Sequence, residues 1–515
     1  MPQYFLRVEG VNLANVLDDT DDLSTRRGGG LMLLNAVRQM PTTFNAVTLK
    51  PIATGASVGL FEFDADDPKA LAERVRTHFR HTQLKGEQEN DILPLSHGTF
   101  VVDVVHAGPD ADADVQLVMA CNRWQQLQSP TVALAGLWKR DAAAECYHDR
   151  VRPAVKGKRL PKHREETDPK YDASISVHDR HHYGRDARQR FYRAELGEGV
   201  HDFTDEFAQI ADRSELGDDV AASNTDGKIA VLYVDGNKFG RRGREALKVR
   251  TDAYRQWSQG VRDHHKHLLE SLLARADADV GWQGTNNEGR KALRLETLLW
   301  GGDEILWVVP AWKGWELAEL FFGHGHVING QPVTYAGGLV FCHTKAPIAN
   351  VVKLAKRLGD VAKHAGKDRH GLAYEVLESF DDITSDLTEH REKWLPVALR
   401  TPEPRPAASR PDPLVIDPAK LPAFLKAARA IAAATDFPMR QLYRLCKVWR
   451  EPGKFETPEA DRAAALTRLR GCEVGARFLE VEAAFRDDPV GWLHLLNVLP
   501  YLPSVGGNAS ESTTG

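Results

Sequence analysis

This 515-residue chain has only five cysteines and no C-x-x-C pair, which excludes a disulfide framework and any strong zinc motif. Cys121, Cys146, Cys342, Cys446 and Cys472 are scattered and odd in number, the pattern of reduced thiols. No apolar run approaches the ~20 residues that cross a bilayer. The opening MPQYFLRVEG has neither the basic head nor the long apolar core of a secretory leader. A membrane role is therefore not expected, and the reading is cytoplasmic. A strong excess of either charge is missing too. A net charge of −5 with a pI near 6.5 argues against a protein that coats nucleic acid over its whole surface, leaving only a local basic face open.

What is present is an ordinary soluble composition, 42% hydrophobic and 27% charged, in a chain too long for one core. Residues 1–106 run as a strand YFLRVEGV, a helix-like RRGGGLMLLNAVRQM, strands NAVTLKPI and SVGLFEF, a helix DPKALAERVRTHF and a strand GTFVVDVVHA. That order, β-α-β-β-α-β, is the split βαβ or ferredoxin-like arrangement. It returns over 227–385, beginning with GKIAVLYVDG. One long helix follows, with Leu247, Tyr254, Trp257, Val261, Leu268 and Leu272 at helical spacing. Then come a hairpin around Gly301 and Gly302, the helix WKGWELAELFF, the strand TYAGGLVF, a helix from Pro347 and the segment GLAYEVLE. The expected class is α+β, with two ferredoxin-like (βαββαβ) domains and a C-terminal α-helical domain over 414–502. Residues 107–226 form a connector without an assignable fold. Its portion from Arg150 to Arg193 is rich in Arg, Lys and His, with Tyr171, Tyr183, Phe191 and Tyr192 interleaved. Five prolines between 401 and 413 mark 386–413 as a linker, and 503–515 is a polar tail expected to be disordered.

In the split βαβ topology the end of the first strand lies beside the start of the third. Asp235 and Asp303 occupy those two places. Mg²⁺ (or Mn²⁺) takes carboxylate and phosphate oxygens, and two such ions can clamp the attacking and leaving oxygens of an in-line displacement. Gly301 and Gly302 permit a tight hairpin and let a nucleotide approach the backbone, while Asn237 is placed to reach a ribose or base. A lone GGDE is usually just a hairpin turn. Here an acid closing an apolar strand, a long helix and a Gly-Gly-Asp hairpin between two strands occur together, which a solvated turn does not require.

VLYVDGNKFG, LLWGGDEILW, GGLVFCHTKAPI and AKHAGKDR resemble successive motifs of the second palm domain in the large subunit of type III CRISPR effector complexes, and more distantly GGDEF-type diguanylate cyclases. The first copy is similar to that family's first palm through VEGVNL and DTDDLSTRRGGGLMLL. The resemblance implies a degenerate first palm at 1–106 and a catalytic second palm at 227–385. Glu304 would stand at the family's second acidic position and Lys363 would reach the triphosphate, with Lys367 and Arg369 as further cations. The implied catalytic residues are Asp235, Asp303 and Glu304, joined by Gly236 around the metal. The nucleotide-binding set is Gly236, Asn237, Phe239, Gly301, Gly302, Lys363, Lys367, Arg369 and Ser57. Gly28 to Gly30 would lie near the phosphates, or else form a flexible helix start. Glu9 sits where Asp235 does, but its hairpin IATGASVG offers no second acid.

Departures bound the expectation. The chain begins directly with a palm, so the family's histidine-aspartate nuclease is not expected. His148-Asp149, His178-Asp179 and His201-Asp202 read as parts of a polar connector, not of packed helices. Cys146 with His148, His178, His181 and His182 reads as solvated loop histidines before it reads as a zinc site. The expected function is a two-metal nucleotidyltransferase or cyclase that joins nucleoside triphosphates, ATP first, into cyclic or oligomeric signals for antiviral defence, releasing pyrophosphate. The rival readings are an RNA-binding assembly subunit of a CRISPR-like complex, motivated by the basic, aromatic connector, and a single-nucleotide cyclase. RNA and CRISPR-like protein subunits are thus candidate partners, and oligomerisation is left open.

Overall fold

Two short apolar runs, FLRV at 5–8 and IAVLYV at 229–234, each become an inner strand of a sheet, because residues buried on both faces need neighbours on both sides. The computed structural model describes residues 2–81, 84–85, 91–92, 94–129, 144–163, 165, 168–197, 202–216, 225–378, 386–400 and 412–502. In chain order its principal elements start with β1 (Gln3–Val11), α1 (Leu23–Arg38), β2 (Lys50–Thr54), β3 (Val58–Asp64), α2 (Pro68–His81) and β4 (Thr99–His106). These strands form an antiparallel sheet in the order β2-β3-β1-β4. Helices α3 (Ala111–Gln128) and α4 (Ile175–Leu196) follow.

The second sheet is built from β5 (Lys228–Gly236), α5 (Phe239–Val249), α6 (Thr251–Asp277), β6 (Glu296–Gly301), β7 (Glu304–Pro310), α7 (Gly314–Gly323), β8 (Tyr335–His343), α8 (Ile348–His364) and β9 (Gly371–Val376). Its order is β6-β7-β5-β8-β9, antiparallel except for the parallel pair β8–β9 that α8 connects. Ile348, Val351, Val352, Ala355, Leu358 and Ala362 make one buried stripe on α8 and lay it on this sheet. Helices α9 (Leu421–Ala433), α10 (Met439–Arg450), α11 (Pro458–Arg470), α12 (Gly475–Ala484) and α13 (Val490–Val498) close the chain. They rest on the second sheet and its helices. The Tyr374 hydroxyl and His494 Nδ1 lie 3.0 Å apart, and Arg429 reaches Glu319 at 2.8 Å. No helix among the described residues is long and apolar enough to cross a membrane.

The course of the backbone and its packing differ from the sequence reading in four places outside the acidic corner. The single long helix expected after Asp235 is broken at Arg250, which is extended (φ −177°, ψ 158°). The break folds α6 back so that Tyr254 and Trp257 lie against Gly243, where a Cβ would sit 2.8 Å from Tyr254 Cε2. From Ile175 to Leu196 the connector is not a solvated loop, because α4 is a 22-residue helix with Tyr183, Phe191 and Tyr192 buried. Its Ser174 caps the amide of Val177 at 3.2 Å. Gly28 to Gly30 are neither a helix start nor open to a phosphate. They lie inside α1, where a Cβ on Gly28 would be 1.9 Å from the Arg180 carbonyl oxygen and one on Gly184 2.0 Å from that of Ser24. Glycines on both helices thus let α1 and α4 touch backbone to backbone. Finally, 386–400 is not extended linker. Arg391 lies on a short helix, Leu387–Glu392, and is buried while donating to the Tyr374 carbonyl at 2.9 Å and to Asp412 at 2.7 Å. Residues 401–411, 503–515 and His201 lie outside the described residues.

One buried ion pair ties α1 to the second sheet. Arg27 Nε donates to Glu296 Oε1 at 2.8 Å with both side chains at most 2% exposed, and Arg188 of α4 stands 3.6 Å from the same carboxylate. Removing one partner leaves an uncompensated buried charge. Arg27→Met is therefore expected to lower unfolding free energy by about 3–5 kcal/mol, and Arg27→Met with Glu296→Met to recover much of it, as read by urea denaturation.

Candidate active site

Strand register decides which acids meet. β5 and β7 pair with Asp235 opposite Glu304, and β5 and β8 with Asp235 opposite Ala336. One residue further on, the Gly236 amide donates to the Asp303 carbonyl at 3.0 Å and the Asn237 amide to that of Thr334 at 2.8 Å. The chain leaving β5 is thus held on both sides. β6 and β7 are joined by the two residues Gly302 and Asp303, with Gly302 at φ 64°, the conformation that a tight hairpin requires at its first position. Asp235, Asp303 and Glu304 converge there.

Like charges this close oppose ionisation. Burial first, then the carboxylates of Asp235 and Glu304, push the Asp303 carboxyl up to about 7. Burial also raises Asp235, with Glu304 and Asp360 adding to the effect and the hydrogen bond from Lys363 opposing it. Lys363, in the last turn of α8, forms an ion pair with Asp235. Glu304 accepts from the Tyr233 hydroxyl, whose own pKa is driven far up by burial and by that acid. Tyr233 and Asp360 were not singled out by sequence. Tyr233 lies two residues before Asp235 and shares its face of the strand, while Asp360 lies one helical turn before Lys363, so both periodicities pointed at them.

The remaining expected residues fall into three groups. Phe239, 4% exposed, covers Gly236, where a Cβ would be 2.4 Å from the ring, and packs edge-on to Trp257. Asn237 does not reach outward as expected. It is 2% exposed, and its amide nitrogen donates to Thr334 Oγ1 at 3.1 Å and to the Arg369 carbonyl at 3.2 Å, pinning the loop after α8. Lys367 and Arg369 are exposed on that loop, with Arg369 Nη2 donating to the Ala365 carbonyl at 2.9 Å. Ser57 is buried, and its carbonyl accepts from the Gly10 amide at 2.8 Å. Glu9 is neutralised by Arg7 at 2.5 Å and Arg123 at 3.4 Å.

The hairpin carrying Ser57 abuts the acidic one. A Cβ on Gly301 would lie 2.8 Å from the Ala56 amide nitrogen, so glycine is needed where the two turns touch. Beside this contact a slot of about 250 Å³ opens between the sheets, walled by Gly55 and Val58 on one side and by Phe239, Tyr254, Trp257 and Asp303 on the other.

His178 and His181 of the connector are held in internal contacts. His178 and Asp179 lie buried on packed α4, contrary to expectation, because Asp179 joins His178 (3.2 Å) to His97 (3.1 Å). His181 meets Asp22 at 2.8 Å. Asp149 accepts from the amides of Val151 and Arg152 and from Ser174. Cys146 is fully buried, its thiol raised by burial. Among the described residues no group of three or more His, Cys, Asp or Glu is arranged to hold a metal ion. That includes the three acids, whose cationic neighbour is Lys363. Arg152, Arg159, Arg180 and Arg188 are all in ion pairs, which weakens the case for a single-strand-binding face in the connector.

No family model matches this chain, and neither does any curated protein. Its architecture is that of the large subunits of type III CRISPR effector complexes. In particular it shares the fold of Csm1 in the Csm1–Csm4 cassette in complex with pppApApA (TM-score 0.55, 11% identity, covering 98% of this chain and 70% of that one). The cassette in complex with one ATP is similar at TM-score 0.53 and 12% identity, over 97% of this chain and 70% of that one. Csm1 of T. onnurineus is similar at TM-score 0.51 and 11% identity, over 98% and 69%.

The raised Asp303 carboxyl carries a signed prediction. An acid whose folded pKa lies above its unfolded value costs stability as pH rises from about 4 to 7, since the unfolded state ionises first. Asp303→Asn should therefore melt higher than wild type at pH 8, with the difference shrinking through that window and vanishing below about pH 4. Differential scanning fluorimetry across pH checks it, and a difference that does not depend on pH would contradict it.

Proposed function

We propose that this chain is a nucleotidyltransferase that joins nucleoside triphosphates, ATP foremost, into oligomeric or cyclic products. The observation that carries the reading is the convergence of Asp235 and Asp303 across β5 and β7, beside a slot shared with the other sheet. Csm1 structures with one ATP, pppApA and pppApApA support it, as the same fold there is seen with a nucleotide and with short oligonucleotides.

The acids suit a hard cation. Their donors are all oxygen, and Asp303 stays raised because burial, together with the charges of Asp235 and Glu304, outweighs Lys363. Mg²⁺ or Mn²⁺, held by Asp235, Asp303, Glu304 and the Gly236 carbonyl, would supply positive charge at the phosphate oxygens. In this scheme Lys363, released from Asp235, turns to the triphosphate. Phe239, Tyr254 and Trp257 hold a base in the slot and exclude water from it. The acceptor's ribose hydroxyl oxygen attacks the α-phosphorus of the donor, a P–O bond forms, the α–β bridge breaks and pyrophosphate leaves with the electron pair, while the hydroxyl proton passes to solvent. Most of the acceleration comes from position and charge neutralisation.

An assembly role with a closed site is the second reading, favoured by the Lys363–Asp235 pair. Incubation with ATP and Mg²⁺ and mass spectrometry of the products separate the readings. Oligomeric or cyclic adenylates should form, and Asp235→Ala with Asp303→Ala should reduce them by about 10³-fold or more. Undiminished product from the double variant would falsify the assignment, and a product holding a single nucleotide would favour the single-nucleotide cyclase. A second check needs no turnover: Mg²⁺ should raise the melting temperature of wild type at pH 8, and raise that of the double variant less or not at all.

A further inference from the structure

Helix α3 turns only one side inward. Val115 and Val118 pack among Phe5 and Leu60 of the first sheet, and Asn122 is buried between Arg7, which donates to it, and Asp103, to which it donates at 2.8 Å. The opposite side carries Ala113, Leu117, Ala120, Trp124 and Leu127, at successive steps of 4, 3, 4 and 3 residues. Leu117 is 55% exposed, Trp124 65% and Leu127 80%, and both alanines are exposed too. That alternation is the seam of a two-helix coiled coil, with apolar knobs along one line of the helix. Polar residues flank the line, Asp114 and Gln128 on one side and Gln116 and Arg123 on the other. A helix face that met only water would carry such residues on the line itself.

We infer that this line is a self-association surface, on which α3 of one copy of the chain pairs antiparallel with α3 of a second copy, about a twofold axis at the level of residue 122. Size sets the register. Antiparallel pairing about that level puts Trp124 against the partner's Ala120 and Leu117 against the partner's Leu127, so each indole meets a methyl group and has room beside it. A parallel pairing would set indole on indole and leave a gap between the two alanines. An isologous contact needs a patch that complements itself, and a large and a small residue one turn apart on the same line meet that need. On one flank the axis brings the two Arg123 side chains together, each answered within its own chain by Glu9 at 3.4 Å. On the other flank the two half-buried Cys121 thiols come together. The stripe of one helix falls short of the ~800 Å² per partner of a standard interface, so the dimer is weak and forms toward about 100 µM. The pairing is independent of the nucleotidyltransferase reading.

Sedimentation velocity of the full chain, over a concentration range of about 1–100 µM, tests the inference. Wild type should pass from monomer to dimer, and added NaCl should tighten the dimer by screening Arg123 from its mate. Trp124→Lys should stay monomeric throughout. Ala120→Trp, which sets ring against ring, should weaken the dimer by about tenfold or more. Ala120→Trp with Trp124→Ala restores the large-to-small match in exchanged order and should return to within a few-fold of wild type. A short bismaleimide should link wild type and Cys472→Ser into covalent dimers but not Cys121→Ser. Melting curves establish that each variant is folded. A wild type that stays monomeric, as it would if the stripe served a different partner, overturns the inference. So does a dimer that survives Trp124→Lys, or an exchanged double variant that is no tighter than Ala120→Trp alone. No turnover is read, so a negative result leaves the enzyme reading where it stands.

Discussion

Carboxylates forced together by strand register are the constraint from which the rest of this molecule follows. Opposing Asp235 to Glu304 across β5 and β7, and bonding the Gly236 amide to the Asp303 carbonyl, brings three acids into a partly buried corner where water cannot screen them. The surroundings offset this only in part. Lys363 meets one acid and Tyr233 donates to another, while Asp303 has no side-chain donor of its own among the hydrogen bonds described. A fold optimised for stability alone would place an amide there, so the strain is a mark of use.

The corner is completed from elsewhere in the chain. The turn at Gly55 and Ala56 belongs to the first sheet, and it can press on Gly301 only because α1 is anchored on both sides: through paired glycines to α4 and through Arg27 to Glu296 on β6. Rigid seating of this kind matters for chemistry that depends on position, where displacements of about 1 Å are costly. The break at Arg250 contributes in the same way, since it swings Tyr254 and Trp257 round to wall the slot.

Much of this was legible in the order of residues, and the exceptions have physical reasons. Strand β5, its closing acid and the Gly-Gly hairpin were readable because apolar runs and positive-φ glycines are local signals. Helix α4 was not, because its buried face includes Asp179, Arg180 and Arg188, charged residues that are buried because each finds a partner outside the helix, in His97, Asp19 and Asp205. Asn237 misled for a related reason. A polar residue beside an acid reads as a ligand contact until Thr334 and Arg369, about a hundred residues further on, are seen to claim its amide. Glu9 resembled Asp235 by position, yet Arg7 two residues earlier on the same strand face already answers its charge.

The two facing turns are carried on a single polypeptide and not on identical subunits. In a twofold dimer any change to a loop appears twice, so neither copy can be altered without altering its mate. Covalent linkage lifts that tie. One loop here can do without a second acid and clamp its remaining carboxylate while the other concentrates three, and the resulting inequality gives the cleft a built-in polarity, with its unpaired negative charge gathered on one wall.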